Sequence, residues 1–159
     1  MLLMTESTLF DTVFGLPLHP LAVHAAVVLV PLAALGAVIM AVSPRLARRY
    51  GGLIVVAGAA SFVASFVAKE AGESLASSVG VTAQHAQLGD VVPILALVLA
   101  LGLIGFWLVD RGIPGNRSRP WWLRVAAVAL IVIAVLATVW TVRAGHSGAE
   151  SVWQGLAGK

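Results

Sequence analysis

Four histidines, His19, His24, His85 and His146, supply all the imidazoles of this 159-residue chain. With the carboxylates Glu70 and Glu73, they are the side chains best suited to hold a cofactor or a metal. There is no cysteine, which excludes disulfides, thiolate metal sites, iron–sulfur ligation and covalently attached haem. Two neutral imidazoles approaching from opposite sides suit the axial positions of a non-covalent b-type haem. The same nitrogens, drawn closer and joined by Glu70 or Glu73, suit a divalent metal such as Zn, Cu or Fe. Spacing alone does not separate the two.

These residues are positioned by long apolar runs. Residues 16–42 contain no Asp, Glu, Lys or Arg, and roughly 20 residues rising ~1.5 Å each cross the hydrocarbon layer of a bilayer. A chain that is 60% hydrophobic and only 11% charged belongs to the membrane class. The expectation is an all-α, polytopic, four-helix antiparallel transmembrane bundle spanning residues 16–146. Its spans lie at about 20–42, 52–70, 83–109 and 122–143, between a lead of residues 1–15 and a tail of residues 147–159. The acidic lead lacks the basic opening of a signal peptide and is expected to form an interfacial helical turn carrying Leu9, Phe10, Val13 and Phe14.

Pro20 suits the first helical position, placing His19 at the cap and His24 about one turn inside. The basic stretch SPRLARRYGG reads as a connector. On the second helix, Gly58, Ser61, Ser65 and Gly72 share a face that a neighbour can approach closely. Thr82 caps the third helix, with His85 in its first turn.

Seven of the ten Lys and Arg residues, Arg45, Arg48, Arg49, Arg111, Arg117, Arg119 and Arg124, fall around two connectors at one end. The positive-inside rule therefore puts both termini outside the cytoplasm. This basic excess reports topology, so no nucleic-acid partner is implied; the partner it does imply is the lipid bilayer. All four histidines, Glu70 and Glu73 then share the extracytoplasmic end. Counting ~1.5 Å per residue from the opposite helix ends puts His19, His85 and His146 at roughly one level and His24 about 7 Å deeper. His24 precedes Pro31, and His85 precedes Pro93, by seven and eight residues. This echo suggests that the first and third helices are related by a two-fold axis, with His24 facing His85 across a diagonal.

LPLHPLAVHAAVVLVPLA, QHAQLGD and RAGHSGAESVW together resemble a bacterial four-helix integral-membrane family of unassigned function, with an HPxxVH opening and a GHxGA closing motif. The resemblance runs from about Gly15 to Trp153. Relatives joined to Rieske or cytochrome c domains imply an electron-transfer context, respiratory-chain redox partners and a location in the bacterial cytoplasmic membrane. Where family members often carry Phe-Pro after the second histidine, this chain has Ala25 and Ala26.

Three readings stay open. The first is b-haem electron transfer with ligands drawn from His24, His85, His146 and His19. The second is a metal site of His24, His85 and His146 with Glu70 or Glu73. In the third, an accessory or structural subunit of a respiratory or transport complex uses its histidines only for hydrogen bonding. Ser147 follows His146, but no nucleophile-elbow motif surrounds it. Oligomeric state is not legible.

Overall fold

The computed structural model describes residues 12–13, 16–79 and 82–157. Helix α1 spans Leu18–Val42, α2 Pro44–Val79, α3 Ala83–Arg111 and α4 Trp121–Ala157. Each is long and apolar enough to cross a membrane. They form an up-and-down bundle in which α1 and α3 each pack against both α2 and α4, while α1 and α3 meet across a diagonal. Before α1, a two-residue strand β1 (Thr12–Val13) pairs antiparallel with β2 (Leu16–Pro17). Val13 is therefore in a strand, where a helical turn was expected; Leu9, Phe10 and Phe14 lie outside the described residues.

Buried side chains follow helical spacing. Val30, Ala33, Ala37 and Met40 of α1 meet Leu99, Leu103 and Phe106 of α3 and Leu123, Leu130 and Ala134 of α4 in one core. Small residues bring α2 close: a Cβ at Gly58 would lie 2.7 Å from Leu103 Cδ1. Ser61 and Ser65 on the same face are buried and donate to the carbonyls of Gly58 (2.7 Å) and Ser61 (2.8 Å) on their own helix, so neither hydroxyl is left unsatisfied in the apolar interior.

The helices are longer than the apolar runs. SPRLARRYGG, expected as a connector, is almost entirely helical, because Ser43 alone separates α1 from α2. Ser43 adopts an extended conformation, its N–H closes α1 on the Ile39 carbonyl, and its carbonyl and hydroxyl accept from Ala47 N and Leu46 N. Pro44 then supplies a first helical residue that needs no hydrogen bond. Thr82 caps α3, as its position predicts, accepting from His85 N at 3.4 Å. Helix α4 continues well past the apolar run, through His146 into the expected tail.

At the Ser43 end, Arg119 in the α3–α4 connector holds three elements together. Its guanidinium forms a fork on the Asp110 carboxylate (2.7 and 3.0 Å) and donates to the Met40 carbonyl (2.8 Å) and that of Ala41 at the end of α1. It also lies over the Phe106 ring. Asp110 is buried and Arg119 largely so. Neither is the solvated loop charge that a count of loop residues implies.

Candidate functional site

At the opposite end, where α1 and α3 begin, the two early histidines lie across neighbouring helices. His19, in the first turn of α1, rests on α2, and its Nδ1 stands 2.8 Å from the Ala68 carbonyl. A Cβ on Gly72 would come within 2.9 Å of its ring, so the notch left by glycine is what lets the imidazole lie there. His85, in the first turn of α3, rests on α4 in the same way. Its Nδ1 lies 3.1 Å from Ser147 Oγ, and a Cβ on Gly148 would come within 2.9 Å of its ring. Both notches come from an Ala-x-x-x-Gly stretch, Ala68 to Gly72 and Ala144 to Gly148. The two halves of the bundle thus repeat one device.

The two rings meet on the diagonal. Their centroids are 6.4 Å apart and their planes nearly perpendicular, at 87°. The hydrogen bonds also fix the tautomers. A carbonyl can only accept, so Nδ1 of His19 carries the proton. Ser147 gives its hydroxyl proton to the Ala144 carbonyl (2.9 Å), so it too accepts from its histidine, and Nδ1 of His85 is the donor. In its neutral form each imidazole would then keep its lone pair on Nε2, the form in which histidine binds metals. A serine beside a histidine could suggest an activated nucleophile. Here the hydroxyl proton is directed to a carbonyl and Ser147 is buried, so the geometry is that of a support for His85.

The remaining candidates stand elsewhere. His24 is exposed, and its Nδ1 donates to the Pro20 carbonyl of its own helix (2.6 Å). The expected pair of His24 and His85 is thus replaced by His19 and His85. Five residues separate His19 from His24, about 140° around a helix, so a face that buries one turns the other away. His146 is exposed and lies 3.3 Å from Glu150 through Nε2. Glu70 and Glu73 both surround Lys69, which Asp90 of α3 approaches as well, at 3.8 Å. The set of His24, His85 and His146 with Glu70 or Glu73 is not brought together, and among the described residues no three His, Asp or Glu side chains form a group that could hold a metal ion.

Ser147 and the two glycines were not singled out as parts of a site by sequence reasoning. The signal that could have found them is the repeated Ala-x-x-x-Gly, in AKEAG and AGHSG. No curated protein and no solved structure matches this chain. A family model described as "Predicted membrane protein (DUF2231)" matches residues 15–158, which takes in all four helices. With four apolar helices and that match, the chain belongs to the DUF2231 family of multi-pass membrane proteins.

Proposed function

We propose that this protein is a membrane electron-transfer protein in which His19 and His85 would hold one b-type haem. The observation that carries the reading is the spacing of the paired rings, 6.4 Å between centroids. Two imidazoles held at that separation from opposite helices could both serve one iron through Nε2. The hydrogen bonds add support: both Nδ1–H groups are already held by protein acceptors, which orients each ring and leaves Nε2 as the basic nitrogen.

The pair offers two nitrogens, and a porphyrin brings its own four. Ala22 and Leu88, one turn along from His19 and His85, are buried, as is Ala71 beside the Gly72 notch, so the neighbouring positions are apolar as such a group requires. When bound, the haem supplies one-electron chemistry. The protein's part is to hold and orient two neutral imidazoles in a low-dielectric setting. The distribution of arginines favours an orientation with this end outside the cytoplasm of a bacterial cell membrane, where respiratory-chain redox proteins would be its partners.

The test is an absorption spectrum, oxidised and dithionite-reduced, of protein purified in detergent from cells supplied with haem precursor. A Soret band that sharpens on reduction, with α and β bands, is the expected result. It should be lost in His19→Ala and in His85→Ala and retained in His24→Ala and His146→Ala. Colourless protein would refute the reading in favour of an accessory subunit, and colour that depends on His24 and not on His19 would refute the ligand assignment.

A further inference from the structure

The seam between α2 and α3, at the connector end of the bundle, carries two guanidinium groups and no free carboxylate. Gly51 of α2 is buried against the Trp107 indole of α3, which a Cβ at that position would strike. Arg48 stands one turn from Gly51, and Arg111 one turn from Trp107. The two helices run antiparallel, so both arginines lie on the connector side of that contact, one on each flank of the seam.

Each is held there by a contact of its own. The Arg111 guanidinium lies 4.8 Å from the centroid of the Trp107 ring, and Arg48 donates from Nη1 to the Ile113 carbonyl (3.0 Å), just beyond the end of α3. Both residues are exposed, neither forms an ion pair among the described residues, and Arg111 makes no hydrogen bond among them either. Asp110 is the one carboxylate in residues 43–60 and 100–130, and it is already neutralised by Arg119. Two like charges are thus fixed on facing sides of a narrow seam, and an anion between them would turn their repulsion into attraction.

The surroundings favour a lipid as the source of that anion. Away from the connector the exposed side chains of the same two helices are apolar, among them Leu53 and Val56 of α2 and Leu101 and Leu108 of α3. Trp107 marks the level at which this surface gives way to charge, the usual place of an indole at a membrane interface. We propose that Arg48 and Arg111 bind the phosphate of an anionic phospholipid whose acyl chains lie along the α2–α3 face. Arginine suits the role because its fork of N–H groups matches a phosphate, and the contacts to Trp107 and Ile113 hold both forks in advance. The proposal is independent of the histidine pair at the other end.

Full-length protein in detergent would be offered phosphatidylglycerol and phosphatidylcholine of the same chains, and the retained lipid read by native mass spectrometry. Each basic residue at an anionic headgroup is worth about five-fold, so wild type should prefer phosphatidylglycerol by about 25-fold. Arg48→Gln and Arg111→Gln should each lower the preference to about five-fold. Arg111→Gln gives up no hydrogen bond, so its result stands whatever Arg48→Gln does to the connector. Arg124→Gln removes the same charge from the same end of the bundle, but on α4, across the diagonal from α2, and should keep the wild-type preference. Equal retention of the two lipids by wild type would overturn the proposal. So would a preference that falls as far in Arg124→Gln as in Arg111→Gln, which would reduce the selectivity to the net charge of the bundle end. Displacement of phosphatidylglycerol by millimolar inorganic phosphate would overturn it too, by assigning the two arginines to a free anion.

Discussion

Replacing Arg119 with alanine removes a guanidinium that makes four hydrogen bonds, two to Asp110 and one each to the Met40 and Ala41 carbonyls. The Asp110 carboxylate it leaves behind is 4% exposed, so water cannot take over its solvation. Breaking a buried pair from one side costs about 3–5 kcal/mol, and Arg119→Ala should fall in that range. Asp110→Ala should cost less, about 2–3 kcal/mol, since the guanidinium keeps the carbonyls at the C-terminal end of α1, whose dipole favours a cation. The double variant should be more stable than the sum of the singles by more than about 1 kcal/mol, because no charge is then left unpaired. Denaturant-induced unfolding of the four proteins in one detergent would measure the cycle. Singles that each cost under about 1 kcal/mol, the worth of an exposed ion pair, together with an additive double, would refute the claim that this pair is buried and coupled.

Gly72→Ala and Gly148→Ala each place a methyl within 2.9 Å of an imidazole, so each should push its ring aside and destabilise the bundle by about 1–3 kcal/mol, measured by thermal unfolding. Ser147→Ala leaves the His85 Nδ1–H without its acceptor and should cost about 1–3 kcal/mol. In haem-loaded protein it should also raise the midpoint potential, because a less basic imidazole favours the reduced iron; potentiometric titration reads this. Gly58→Val should be more disruptive than Ser61→Ala, since its Cβ would meet Leu103 at 2.7 Å whereas the Ser61 hydroxyl bonds only its own helix. A reporter fused after Lys159 should be active only outside the cytoplasm; activity inside would reverse the orientation.

The bundle itself was legible because a bilayer demands uninterrupted apolar helices, and the runs around Val30, Leu99 and Ala134 could be nothing else. The inward face of α2 was legible too, since Gly58, Ser61 and Ser65 repeat at helical spacing. The choice between His19 and His24 was not. Both lie in the same run, and which one turns inward depends on the rotation of α1 about its axis, set by packing of side chains far down the helix. The level count did hold the clue, in that it grouped His19 with His85 and set His24 deeper. The grip of Arg119 on Asp110 was hidden for a different reason. Charges counted as loop residues carry no information about burial, and the nine-residue separation closes only once the connector folds back over the end of α1.

The single-residue corner at Ser43 has a bearing on the histidines at the far end of the molecule. With α1 ending at Val42 and α2 starting at Pro44, the hairpin has no slack in which to absorb an extra residue. An insertion there would advance α2 by about 100° and ~1.5 Å. Gly72, roughly 40 Å away, would swing out from under His19. The α3–α4 connector, by contrast, has loop residues to spare outside its Arg119 clamp. Length variation among relatives should therefore be common between α3 and α4 and rare at Ser43, a pattern of insertions set by the phase of two helices locked together at a distant corner.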